Sequence, residues 1–365
     1  MLSALLFSFR SAPWARRPKF VGGIPVHNCY IVPGAAVPYI WAKHIGKDSR
    51  MNIAIKFVLF QLAILLPFVA GWLLQNSFTD PRQFTGKLLR MNIIGIEPLI
   101  VFWCVWGLDV SFALCVLPVA GLGLVFTGLG LGRIAARLLG LSGTAKQTFL
   151  LGSSLSNHGF TMGGFLCYFF LGEAGLGLAM IFIVYFIPYI YCCVFPSAKI
   201  ASGGGVVPSG FLKGVVFDRK NMPLFAILLA AGTNMLGIRR PAIFFPVDLL
   251  LFISIILYYL TLGINFTGFS LRGRLKEQAV VCAIKFLAVP LMALAVVSML
   301  PLAPPIKAVI LIQACMPVAI YTVVTSVLFN LDTGFASGMM VVNTLFFLCV
   351  VLPVLILLRD ALMVL

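Results

Sequence analysis

Leu151-Gly-Ser-Ser-Leu-Ser-Asn-His-Gly-Phe-Thr-Met-Gly-Gly-Phe165 lies within an apolar run, Thr148 to Leu171, that is long enough to cross a bilayer. Three serines, Asn157, His158 and four glycines therefore fall where hydrocarbon would surround them. Each glycine costs a helix about 1 kcal/mol relative to alanine, and a polar group without a partner costs more. Such a segment is tolerable in a membrane only where the helix is broken and its freed backbone lines a cavity. A second stretch answers the first: Ile312-Gln-Ala-Cys-Met-Pro-Val-Ala-Ile-Tyr-Thr-Val-Val-Thr-Ser326, in the run Ile306 to Phe329. Pro317 removes a backbone donor and clashes with the preceding turn, so it breaks or kinks that helix at mid-span.

The composition makes lipid the solvent. Hydrophobic residues make up 61% of the chain, charged residues 10%, and the mean hydropathy is +1.10. A soluble domain needs about a quarter of its residues charged. Ten apolar runs of spanning length can be drawn: 55–75, 88–107, 112–132, 148–171, 174–195, 222–238, 248–267, 279–300, 306–329 and 336–358. The expected fold is thus an all-α membrane protein of about ten transmembrane helices. A Gly-rich, cationic stretch around residues 200–221 divides a first five-helix repeat, 51–199, from a second, 222–365. Five is odd, so the second set enters the membrane from the opposite side, the condition for an inverted repeat. The two broken runs are the fourth and the ninth, at matching positions of the halves. Such a pair points to a substrate site at the bilayer midplane, and half-helix N-termini aimed there favour an anion. Kinks at Pro and Gly are also frequent in membrane helices, so either break alone is as readily structural.

The net charge of +16 does not point to nucleic acid, because the cations sit in short clusters between apolar runs. Loops after the odd-numbered runs hold thirteen of them: Arg82, Lys87, Arg90, Arg133, Arg137, Lys146, Lys199, Lys213, Arg219, Lys220, Arg272, Arg274 and Lys276. From Met51 onward the opposite side holds Lys56, Arg239, Arg240, Lys307 and Arg359. The rule that positive loops stay inside makes the central linker cytoplasmic and both termini external, in a bacterial inner membrane. Residues 1–50 add seven external cations and erase this bias. Either the basic extension is exported or peripheral despite its charge, or translation begins at Met51. The extension lacks a signal-peptide plan, its apolar run preceding its Arg cluster.

Ionisable residues within the runs are few. Glu97 stands just before Pro98, Lys285 five residues before Pro290, and His158 beside Asn157. A charge inside a span is a functional candidate by default. Glu97 is placed to carry a coupling proton, and Lys285 to pair with Glu97 or with a substrate carboxylate; the alternatives are a Glu97 that reaches water and a Lys285 that snorkels. His158 reads equally as a packing group or a proton carrier. The nine cysteines, mostly inside apolar runs and without a CxxC, read as small packing residues, and no metal or other cofactor is expected. In the third run, Gly128 and Gly132 have the spacing that lets two helix backbones approach. A phosphate loop there would need a preceding strand and a following Lys-Ser/Thr.

Several stretches resemble the auxin efflux carrier family, which joins the plant PIN auxin exporters to bacterial malate and malonate permeases. They are Asn157-His-Gly-Phe160 with Gly172-Glu-Ala-Gly-Leu176, Asn221-Met-Pro-Leu224 with Leu236-Gly-Ile238, the interval from Lys285 to Pro290, and Gln313-Ala-Cys-Met-Pro-Val-Ala319. The resemblance covers residues 51 to 358, and Met51 falls where members of the family usually begin. It implies a 5+5 inverted repeat in which helices 4 and 9 cross at their breaks, with a mobile transport domain beside a scaffold that forms homodimers. Carried onto this chain, Asn157 and Gly159 would meet Gln313 and Pro317 at the crossing, with His158 beside them as a substrate-binding residue. The family commonly has a Pro a few residues after Asn-x-Gly-Phe, where this chain has Gly163-Gly164. The short central linker resembles the bacterial members rather than the auxin exporters.

The expected function is secondary active transport of small organic anions such as mono- or dicarboxylates, coupled to H+ or Na+. A bile acid:sodium symporter-like carrier is the nearest alternative, since that fold also crosses two broken helices. A membrane-embedded enzyme stands further off, because three His and one mid-span carboxylate offer little to assemble one.

Overall fold

The computed structural model describes residues 20–21, 24–25, 53–203, 221–266 and 274–358. The chain divides into two compact units, Met1–Arg50 and Met51–Leu365. In the first, the described residues form a two-residue antiparallel ladder, β1 (Phe20–Val21) with β2 (Ile24–Pro25). The rest of the basic extension and most of the central linker lie outside the described residues.

The second unit is helical. Its elements are α1 (Ile53–Leu74), α2 (Gln83–Trp106), α3 (Phe112–Leu138), α4 (Gly143–Ser154), α5 (Gly163–Ala201) and α6 (Met222–Met235). They are followed by α7 (Val247–Ile264), α8 (Leu275–Met299), α9 (Pro304–Ala314), α10 (Ile320–Leu328) and α11 (Thr333–Leu357). Among the described residues six of these, α2, α3, α5, α7, α8 and α11, are long and apolar enough to cross a membrane, and α6 and α9 are shorter apolar helices. Large apolar side chains stand exposed along them, among them Leu66, Leu73, Leu228, Leu229, Leu291 and Val296. An apolar surface of that extent needs lipid against it. The chain is an all-α membrane protein.

Helix occupies every one of the ten apolar runs, and the differences lie at the ends. The second run begins earlier than expected, near Pro81, because the Asp80 carboxylate caps the N–H of Gln83 at 2.9 Å. The sixth ends earlier, at Met235, and the chain turns at Gly237 with φ of 71°. The fourth and fifth runs are joined by a corner in α5 at Gly172, whose φ of 65° suits glycine. Next to it Gly175 packs so closely on the Cys167 carbonyl that an added Cβ would lie 2.3 Å away. The fourth and ninth runs are each two helices, not one.

Prolines inside the long helices do not stop them. Pro98, Pro196, Pro290 and Pro353 each follow a π-turn, at Asn92–Ile96, Ile190–Val194, Ile284–Ala288 and Phe347–Val351. The residue before each proline donates its N–H to the carbonyl five residues back, as Glu97 does to Asn92 and Leu352 to Phe347. Widening the helix by one residue moves the carbonyl that the proline ring would otherwise strike, so the rod continues.

Two helix pairs dominate the packing, α1 with α7 and α2 with α6. In the first, Gly71 and Gly263 bring the backbones together: a Cβ on Gly263 would sit 2.1 Å from the Phe68 carbonyl oxygen, and one on Gly71 2.2 Å from that of Leu260. On α3, Gly128 and Gly132 take the last turn of α4 at Ser153, while Gly123 and Gly130 meet nothing within 4 Å. Polar contacts between helix ends sort into two groups. Asn265 with Thr85, Gln147 with Ser197, and Asp332 with Thr148 and Arg274 join ends that follow odd-numbered runs. Trp106 with Ile238, and Arg240 with Glu173 and Trp103, join ends that follow even-numbered ones.

Replacing Gly263 by leucine forces a side chain into the Phe68 carbonyl and should cost about 1–3 kcal/mol or more. Fluorescence-detected size exclusion is expected to show loss of monodisperse protein for Gly263→Leu and an unchanged profile for Gly130→Leu.

Candidate functional site

The two breaks meet. Helix α4 has 12 residues and α9 has 11, so at 1.5 Å per residue each reaches about 17 Å from its own end. That is roughly half of a 30 Å hydrocarbon core. Between α4 and α5 the chain is irregular over residues 155–162, and between α9 and α10 over 315–319. There Ser156 and Val318 form an isolated antiparallel bridge. The Asn157 N–H donates to the Pro317 carbonyl at 2.8 Å, and the Ala319 N–H donates to that of Leu155 at 3.2 Å. Backbone groups released by each broken helix are thereby satisfied by the other.

Side chains complete the knot. Lys285, from the π-turn of α8, is almost wholly buried and donates its Nζ to the Leu155 carbonyl at 3.0 Å and the Ser156 hydroxyl at 2.7 Å. His158 spans both breaks, with Nε2 at 2.9 Å from the Gln313 carbonyl and Nδ1 at 2.6 Å from the Tyr185 hydroxyl. Tyr259 of α7 donates to the Thr161 carbonyl at 2.8 Å, and Thr161 donates its hydroxyl to Asn157 Oδ1. Gly159 accepts from the Gly164 N–H at 2.9 Å, and Asn157 from that of Gly163 at 3.0 Å, opening α5. A Cβ on Gly163 would stand 2.2 Å from Gln313 Oε1. His158 backbone atoms stand 2.8 and 2.9 Å from the same Cβ, so position 163 admits only glycine.

Beside the knot lies a cavity of about 70 Å³. Asn157, Tyr259 and Thr344 supply its polar residues, and Ile64, Phe68, Leu262, Ile320, Met340 and Leu348 belong to its apolar wall. It sits between the α1/α7 pair on one side and the first break, α10 and α11 on the other. Ile320 is the first residue of α10, so one half-helix N-terminus borders the space.

The sequence-predicted residues separate accordingly. Asn157, His158, Gly159, Gln313 and Pro317 all come to the crossing, but of these five only Asn157 lines the cavity. His158, Gln313 and Pro317 hold the two breaks together. Gln313 Oε1 is buried without a partner among the described residues, and its Nε2 lies 3.8 Å from Cys167 Sγ. Glu97 and Lys285 do not face each other. Lys285 is spent on the first break, while Glu97, buried beside the π-turn of α2, lies near the Tyr258 hydroxyl of α7. Near it the Asn92 amide donates to the Ser254 carbonyl at 3.3 Å. Glu97 Oε1, Asn92 Oδ1 and Ser254 Oγ have no hydrogen-bond partner among the described residues.

Sequence reasoning missed Tyr185, Tyr258, Tyr259 and Thr161. The signal available was the tyrosines themselves, since a buried phenol must find a partner inside a span. Glu173, part of the Gly172-Glu-Ala-Gly-Leu176 stretch, acts at a distance from the knot: it pairs with Arg240 at 2.7 Å, beneath which lies the Trp103 ring. Comparison with protein-family models and with curated proteins gives no match for this chain.

Lys285→Met removes two hydrogen bonds from the first break, leaving the Leu155 carbonyl with the Ala319 N–H alone and the Ser156 hydroxyl without its donor, a loss of about 1–3 kcal/mol. A thermal-unfolding scan in detergent is expected to show a lower midpoint for Lys285→Met than for the exposed-site variant Ser298→Ala.

Proposed function

We propose that the chain is a secondary carrier of small organic anions, of the kind found among the bacterial members of the auxin efflux carrier family. The observation that carries this reading is the pair of interrupted helices whose breaks hydrogen-bond to each other, beside a cavity that Asn157 lines. Irregular backbone within a span is tolerated where it serves a site. The ten helical runs are read as ten spans in a 5+5 inverted repeat. The packing supports this: exchanging first with sixth and second with seventh turns the α1/α7 pair into the α6/α2 pair, and the crossing into itself. The sorting of helix-end contacts into two groups supports the alternation of spans.

The anion is read as a monocarboxylate with an apolar body. Asn157 and the N-terminus of α10 offer donors at one place, while the remaining wall is largely aliphatic and aromatic. Glu97, an ionisable side chain buried in a span with one oxygen unpartnered, is read as the group that takes up and releases a coupling proton. It lies on α2 against α7, and α7 also carries Tyr259 of the cavity. That shared helix is a physical route between coupling and substrate groups. The location is read as a bacterial inner membrane with the basic loops cytoplasmic.

Uptake into proteoliposomes of labelled mono- and dicarboxylates, with pH and sodium varied independently, tests the reading. Monocarboxylate uptake driven by a proton gradient is expected. Asn157→Ala should abolish it while the protein stays folded. Thr161→Val, which removes only the hydroxyl bound to Asn157, should retain part of it. Absence of uptake of every acid tried, or equal uptake by wild type and Asn157→Ala, would overturn the carrier reading.

In the same vesicles Glu97→Gln is expected to lose gradient-driven accumulation and to keep substrate exchange at equal pH. Accumulation that follows sodium and ignores this substitution would place the coupling elsewhere.

A further inference from the structure

At the membrane end where Gln147 meets Ser197, helices α3, α4 and α5 leave a cleft of about 390 Å³ that the carrier reading does not use. Arg133 and Arg137 line it from the last turns of α3, and Lys146 from the first turn of α4. No Asp or Glu is among its lining residues, and among the described residues none of the three cations is in a salt bridge. Arg274, by contrast, meets Glu277 and Asp332 in the same structure. Three like charges converging on one concavity repel each other unless an anion enters. Guanidinium groups paired with an ammonium suit a phosphate, which accepts several charge-assisted hydrogen bonds at once.

The surroundings identify the source of that phosphate. Ile134 and Leu138 on α3 and Ile200 on α5 are exposed by 57%, 83% and 67%, and Ile200 itself lines the cleft. These side chains run directly into the apolar surface that faces lipid. A soluble anion has no use for them, whereas acyl chains attached to a bound headgroup would cover them. Gln147 and Ser197, tied to each other at 2.8 Å, offer further polar atoms at the cleft for the rest of the headgroup. We propose that this cleft binds an anionic phospholipid of the adjoining leaflet, its phosphate held by Arg133, Arg137 and Lys146 and its chains laid along α3 and the end of α5. Basic groups between helices at a membrane surface are a general means of holding such headgroups.

Native mass spectrometry of the full chain, with phosphatidylglycerol or phosphatidylcholine added, tests this. Wild type is expected to retain phosphatidylglycerol preferentially, and the double variant Arg133→Ala/Arg137→Ala to retain it about tenfold or more weakly. Arg90→Ala, which removes a cation outside the cleft, should behave as wild type. Lys146→Gln gives an independent reading should the double variant fail to fold. Equal retention of the two lipids, or retention unchanged in both cleft variants, would overturn the assignment. Inorganic phosphate supplies the remaining arm: if it raises the unfolding midpoint as much as phosphatidylglycerol does, and through the same residues, the cleft takes a soluble anion and the lipid assignment fails.

Discussion

A broken helix inside a bilayer leaves backbone donors and acceptors that no water can reach, and each costs several kcal/mol unless the protein supplies its partner. The fold turns on how that demand is met. The break at 155–162 and the break at 315–319 satisfy one another through a short antiparallel bridge, and Lys285 covers the Leu155 carbonyl from the side. Neither break is viable without the other. Because one belongs to each half of the sequence, the bridge also fixes how the halves dock at the ends of α4 and α9.

The same demand explains why prolines fall where they do. At Pro317 the helix is allowed to end, because Asn157 is there to take up the proline's own carbonyl. At Pro98, Pro196, Pro290 and Pro353 no partner segment is at hand, and a π-turn keeps the rod intact. Identical residues therefore have opposite consequences according to the segment that lies across from them. Two of the π-turns also place chemistry: Lys285 is inside one and Glu97 directly succeeds another. Widening a turn rotates the helix beyond it, and these two side chains are aimed inward, away from lipid.

Much of this was legible in residue order alone. The ten apolar runs, the two polar interruptions and the Gly128-Gly132 approach come from periodicity, length and the cost of polar groups in lipid, all of which are local. The corner at Gly172 and the cap at Asp80 were not anticipated, although both are local features. Orientation about each helix axis could not be read. Asn157, His158 and Gln313 are adjacent to the same breaks and look alike in sequence, yet one lines the cavity and two are consumed in holding the crossing. Glu97 and Lys285 looked like a pair because they were the two ionisable groups left over near prolines. Their actual neighbours, Tyr258 beside Glu97 and the Leu155 carbonyl bound by Lys285, are supplied by segments far away in the chain.

A knot held by so many backbone and side-chain bonds behaves as one body, which constrains how a carrier built on it can work. The hydrogen bonds of Lys285 and His158 tie the breaks to α8 and α5, so those helices must travel with the crossing if it travels at all. On the other side the α1/α7 pair is locked by the reciprocal approach of Gly71 and Gly263. Between these two bodies the cavity wall is largely apolar, and the hydrogen bonds that cross from one to the other include Tyr259 to the Thr161 carbonyl, Gln61 to the Leu348 carbonyl at 2.9 Å and Tyr168 to Asp248. Displacing one body against the other there gives up these side-chain hydrogen bonds, worth about 1 kcal/mol each, and exchanges one apolar contact for another. Separating α4 from α9 would instead strand several buried backbone groups at once. The cavity therefore lies where two bodies meet through side-chain bonds and apolar contact, away from the backbone bonds that hold the crossing together.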